Sequence, residues 1–281
     1  MVNDPIRPLD PIPTVLASPS PPTLHYYRTR WWIHLILIGG YPLALGLLGA
    51  EDKQNRAPAL GNAPQALFVI CLVELGVFGV VFGLAWLASR VNFDQLLCRW
   101  RGFLAIPLGI VYSVAIRFLL GILVAIIVAI LLATHFMTPD SFKTFFNSNR
   151  PDVEALVDVS ALRNNPLYFW LSVTLVSFVV GGLREELWRA SFMAGMKALF
   201  PRQFGSLRGQ IVAAFLAAIV FGLGHLLQGP IAACLAGILG FFLGVIMILH
   251  RSIWPAVIAH GMFDATSLAL LPWLVEKLKS I

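Results

Sequence analysis

From Gly102 to Phe136 the chain is apolar almost throughout, interrupted chiefly by Pro107 and Arg117. A stretch of 18 or more apolar residues with few charges is a candidate for a membrane-spanning helix. In hydrocarbon every backbone N–H and C=O must find its partner inside the protein, which leaves only helices and closed barrels. Barrel strands alternate apolar and polar residues over about ten positions, and this run does not alternate. The chain is therefore read as an all-α membrane protein. Charge content agrees: 12% of its 281 residues are charged, against about 25% in soluble domains.

The remaining segments repeat the pattern. Residues 1–28, rich in proline and poor in apolar side chains, are expected to form a disordered tail. Tyr26, Tyr27, Trp31 and Trp32 with Arg28 and Arg30 then make an aromatic and basic interfacial anchor. Spans follow at about 31–50 and 64–88, the second containing Glu74. The run 102–136 is either one span with an interfacial piece or two spans turning near Arg117. A polar connection over 137–165 leads to a helix from Pro166 to about Phe200. Spans at about 209–227, 230–250 and 253–273 follow, and their very short turns make consecutive helices antiparallel neighbours. The expected architecture is a bundle of seven or eight spans around a polar intramembrane cavity. Its parts are the tail (1–28), N-terminal spans with a polar loop (29–165), a C-terminal core (166–273) and a short C-terminal tail (274–281).

A net charge of +6 is no sign of nucleic-acid binding here, because basic residues in short connections set membrane orientation. With 102–136 as one span, ten basic residues lie inside: Arg7, Arg28, Arg30, Arg90, Arg99, Arg101, Lys197, Arg202, Arg208 and Arg251. Seven lie outside: Lys53, Arg56, Lys143, Arg150, Arg163, Lys277 and Lys279. Two spans would reverse the C-terminal half and give 11 against 7, so the count leaves both topologies open. Cys71, Cys98 and Cys234 form no metal or disulfide pattern. No cleavable signal peptide is recognisable in the first thirty residues.

The segment Gly181–Met193, G-G-L-R-E-E-L-W-R-A-S-F-M, puts Arg184, Glu185, Glu186 and Arg189 into a stretch that otherwise belongs in lipid. Each charge at mid-bilayer costs at least about 2.5–3.5 kcal/mol, so a functional site is the default reading. Glu185 and Arg189 have the spacing of a helical ion pair, which leaves Glu186 as the surplus carboxylate. Glu74 is expected to pair with Arg117. Phe221 with His225, and His260 with Asp264, repeat the four-residue spacing in the later spans. Singly these are an interfacial histidine, a satisfied polar pair and a structural ion pair. Together they make the inventory of a site.

These residues resemble the CPBP intramembrane proteases, which include the CAAX-processing Ras-converting endopeptidases and the bacterial Abi proteins. The family pattern is a double glutamate followed by arginine, then F-x-x-x-H, then H-x-x-x-N or D. Glu185-Glu186 with Arg189, Phe221 to His225, and His260 to Asp264 stand in that order, within roughly 166–270. One departure is E-E-L-W-R, a residue shorter than the family's E-E-x-x-x-R. The resemblance implies an intramembrane endopeptidase acting on CAAX-type, prenylated tails or membrane-anchored peptides, without cofactor, in a bacterial cell membrane. Glu185 or Glu186 would activate a water held by His225. His260 with Asp264 would stabilise the oxyanion, and Arg189 would orient a glutamate. Motif order favours Glu185 as the base, whereas a pairing of Glu185 with Arg189 would favour Glu186. The rivals are a zinc protease using the same residues, a non-catalytic Abi-type membrane protein, and a proton-coupled transporter. Transporters usually carry internal repeats with paired broken helices, and no repeat is found. Serine catalysis is weaker still, since no G-x-S-x-G occurs.

Overall fold

A computed structural model describes residues 21–48, 58–149, 151 and 153–279. Most of the expected tail (1–20) and of the polar turn after the first span therefore lies outside the described residues. The described residues are helical, without strands. Apart from short turns at Pro201–Phe204 and Leu226–Gln228, the helices are α1 (Pro21–Leu48), α2 (Pro64–Ser89), α3 (Ala105–Ala133), α4 (Pro139–Asn149), α5 (Val159–Asn164), α6 (Pro166–Leu199), α7 (Leu207–Gly224), α8 (Pro230–His250) and α9 (Trp254–Lys279). Six of them, α2, α3 and α6 to α9, are long and apolar enough to cross a membrane. The chain is an integral, multi-pass membrane protein. The first helix begins at Pro21, inside the segment expected as tail, and packs on α2, α6 and α7.

The run 102–136 forms the single helix α3, which removes the two-span alternative. Arg117 does not turn the chain. Its Nη1 donates to Thr266 Oγ1 at 2.8 Å, and its Nη2 to the Phe263 carbonyl at 2.8 Å and Ser267 Oγ at 3.2 Å. The guanidinium also lies 4.5 Å from the centre of the Phe263 ring. The expected Glu74–Arg117 pair does not form, because these contacts along α9 already use the arginine's donors and Glu74 has another partner.

Helix starts follow local chemistry. Pro64, Pro166 and Pro230 occupy first turns, where a missing N–H costs nothing. Asn165 caps α6 by accepting from the N–H groups of Leu167 and Tyr168 at 3.1 and 3.2 Å. Between Ser172 and Arg184 this helix widens to a π-helical repeat, and Ser177 Oγ donates to the Ser172 carbonyl five residues back at 2.9 Å. Such segments are frequent at functional sites. Gly181 and Gly182 close it, and they let α9 come near: a Cβ at Gly182 would stand 2.8 Å from the Val257 carbonyl, and one at Gly181 would strike Asp264 Oδ2.

His34, fully buried on α1, joins three helices. Its Nδ1 lies 3.1 Å from the Ala85 carbonyl and 3.0 Å from Ser89 Oγ, and its Nε2 lies 3.0 Å from both the carbonyl and the hydroxyl of Ser191. A neutral ring can donate to one of these carbonyls and accept from the serine hydroxyl on its other side. His34→Ala is expected to lower stability in detergent by about 1–3 kcal/mol, measured as a fall in thermal midpoint. Ile36→Ala, at a position 67% exposed, should leave that midpoint nearly unchanged.

Candidate active site

Adjacent residues on a helix point about 100° apart, so Glu185 and Glu186 cannot serve one environment. Glu186 points inward and has no exposed surface. Its Oε1 meets two partners, Nη1 of Arg189 three residues on and Nδ1 of His260 at 2.9 Å. Arg189 is likewise fully buried, with its guanidinium 4.7 Å from the centre of the Phe221 ring on α7. Gly240 on α8 makes room for it, since a Cβ there would sit 3.0 Å from Nη2.

This corrects the expected pairing of Glu185 with Arg189. Both spacings put an arginine beside a glutamate, but only Glu186 shares Arg189's inward face. Glu185 pairs instead with its other neighbour: Arg184 Nη2 meets Glu185 Oε1 at 2.9 Å, and Arg184 Nη1 meets Glu74 Oε2 at 2.8 Å. A chain Glu74–Arg184–Glu185 thus runs from α2 to α6. In the sequence Arg184 stood among the charges of the motif without a role of its own, and Glu74 was expected to pair with Arg117. Their only signal was to be ionisable in apolar spans, and 110 positions separate the two.

The other candidates converge on the same place. Glu186 accepts the Nδ1–H of His260, which leaves Nε2 of that ring facing Glu185 Oε2 at 3.7 Å and Asp264 Oδ2 at 3.6 Å. His225 follows the last residue of α7 and sets its ring 4.5 Å from that of Phe221. Its Nδ1 donates to the Phe221 carbonyl at 2.9 Å, so Nε2 is the nitrogen that can accept. Glu185, His225, His260 and Asp264 line a cavity of about 760 Å³, together with Glu74, Arg184 and Gln228. Glu186 and Arg189 lie behind its wall. Where a polar cavity was expected, most of the wall is apolar, including Leu120, Val124, Val180, Leu235 and Leu239. The ionisable groups form one cluster within it. Among the described residues, no three His, Cys, Asp or Glu side chains are placed to hold a metal ion.

The two glutamates should behave differently on neutralisation. Glu186→Gln leaves the Arg189 charge buried without its counter-charge, a change that costs about 3–5 kcal/mol in comparable pairs. Glu185→Gln, at the cavity wall with Arg184 still held by Glu74, should cost clearly less than Glu186→Gln. Thermal unfolding of the purified variants in detergent measures both.

Residues 166–266 match the family model of the type II CAAX prenyl endopeptidases, Rce1-like. No curated protein and no solved structure matches the chain. The matched segment runs from the start of α6 into α9 and contains Glu185, Glu186, Arg189, His225, His260 and Asp264. Helices α1 to α3, and with them Glu74, lie outside it. Over residues 166–266 this membrane protein carries a domain of the CPBP/CAAX protease family.

Proposed function

We propose that this protein is an intramembrane endopeptidase in which Glu185 activates a water against a peptide bond of a CAAX-type or membrane-anchored substrate. The observation that carries the reading is the division between the two glutamates: Glu185 borders the cavity, whereas Glu186 is closed in by Arg189 and His260. Groups placed in different environments tend to divide the acid and base roles.

In this mechanism the water sits between Glu185 and Nε2 of His225. Glu185 takes its proton as the oxygen bonds to the peptide carbonyl carbon. An imidazolium at His260, flanked by Glu185, Glu186 and Asp264, presents Nε2–H to the developing oxyanion, the kind of stabilisation that usually contributes most. Collapse of the tetrahedral intermediate breaks the C–N bond, and Glu185 returns the proton to the leaving amine. Glu186 is a positioning residue that holds His260 through Nδ1. Arg189 neutralises Glu186, and Arg184 orients Glu185. No metal takes part in any step. The first helix serves as a seventh span, and α1 to α3 form an N-terminal part that closes the cavity around the C-terminal core.

The test is cleavage of prenylated and plain membrane-anchored peptides by purified full-length protein, with and without a strong chelator. Activity should survive the chelator, and Glu185→Gln should reduce kcat/KM by about 10²–10⁴ while the variant remains folded. Activity that disappears with the chelator and returns with zinc would decide for the metalloprotease. Full activity in Glu185→Gln with none in a folded Glu186→Gln would move the base to Glu186. Full activity in both variants would remove the protease reading.

A further inference from the structure

With α3 a single helix, successive long helices traverse the bundle in alternating directions, and contacts between distant connections identify each end. At one end Arg101 Nε donates to the Arg251 carbonyl at 3.0 Å, Ser252 Oγ to the Arg99 carbonyl at 3.0 Å and Trp254 Nε1 to the Cys98 carbonyl at 2.9 Å. The rings of Trp32 and Phe200 meet there too, with centroids 5.6 Å apart. At the other end Ala59 and Leu60 donate to the carbonyls of Ala155 and Leu156 at 2.8 and 3.0 Å, and Arg163 pairs with Glu276 at 3.2 Å.

The cavity belongs to the second end. Helices α7 and α8 have 18 and 21 residues, against 29 for α3 and 34 for α6. At 1.5 Å per residue, their joining turn stops short of that end, and His225 and Gln228 of that turn border the cavity. Pro151, Val153 and Leu156 of the α4–α5 connection and Leu60 before α2 border the same cavity. Among the described residues, none from the connections 90–104, 200–206 or 251–253 lines it.

Charge divides along the same axis. The first end holds Arg28, Arg30, Arg90, Arg99, Arg101, Lys197, Arg202, Arg208 and Arg251. By sequence the basic residues number ten against seven, and the topology that reversed the C-terminal half is gone. Short connections rich in Lys and Arg stay on the cytoplasmic side.

We infer that the basic end is cytoplasmic and that the cavity opens on the opposite, extracytoplasmic face of the membrane. Given the protease reading above, the substrate is then a membrane-anchored peptide whose scissile segment lies on that outer face. A lipidated tail confined to the cytoplasm would have no access. The orientation itself does not depend on catalysis.

Single cysteines at Ser160 and Gln228, and at Asn92 and Gln203, placed in a full-length chain with Cys71, Cys98 and Cys234 changed to Ala, report each end. A membrane-impermeant maleimide applied to intact cells should label the first pair, and should reach the second only after permeabilisation. The reverse pattern, or labelling of all four in intact cells, overturns the proposal. A second measurement uses the unaltered chain: trypsin should cut at Arg99, Arg101 or Arg202 in inverted vesicles and not in intact spheroplasts, and cutting at these sites in spheroplasts overturns it. Neither readout requires activity, so loss of the protease reading and loss of the orientation are separately visible.

Discussion

A guanidinium and a carboxylate without exposed surface sit at the centre of this bundle. Glu186 and Arg189 neutralise each other on one face of α6, and the candidate site is arranged around them. Taking two ions out of water is repaid only when geometry and further contacts compensate. Three other helices surround the pair. His260 of α9 bonds Glu186, the Phe221 ring of α7 lies over the guanidinium, and Gly240 of α8 leaves the space it occupies. The cost of that pair therefore ties α6, α7, α8 and α9 into one unit. This unit coincides with the segment that matches the CAAX endopeptidase family.

A second charge chain, Glu74–Arg184–Glu185, does for the cavity wall what the first does for the interior. It joins the N-terminal helices, which lie outside the family match, to Glu185, the glutamate proposed as base. An arginine between two carboxylates keeps a charge balanced at the surface of a low-dielectric cavity, where a lone carboxylate would be disfavoured. The helix that presents both glutamates is π-helical just before them, and its closing glycines admit Asp264 and the Val257 backbone at close range. Local backbone geometry and electrostatics thus meet at the same turn of α6.

Apolar content makes the orientation of the molecule a separate question from its packing. Lipid-facing surfaces such as those of α2 and α3 leave most side chains outside any protein core, as the exposure of Val80, Val111 and Phe118 illustrates. The turn joining the short helices α7 and α8 borders the cavity with His225 and Gln228.

Much of this was legible in the sequence for physical reasons that need no partner. Apolar runs without alternation dictate helices in a bilayer, prolines and Asn165 mark helix starts, and charges placed in such runs single out Glu185, Glu186, Arg189, His225, His260 and Asp264. Pairing was not legible. Spacings of three and four both put an arginine beside a glutamate, so only the direction of the protein interior could give Arg189 to Glu186 and leave Glu185 at the cavity. Arg117 looked like a break in a long apolar run, yet hydroxyls and a carbonyl on α9 satisfy it and let α3 pass straight through. Glu74 and Arg184, 110 positions apart, could meet only once α2 lay against α6. The sequence by itself determined which groups had to be sheltered from lipid. Tertiary structure decided which of them shelter one another, because that choice depends on which helix faces come together.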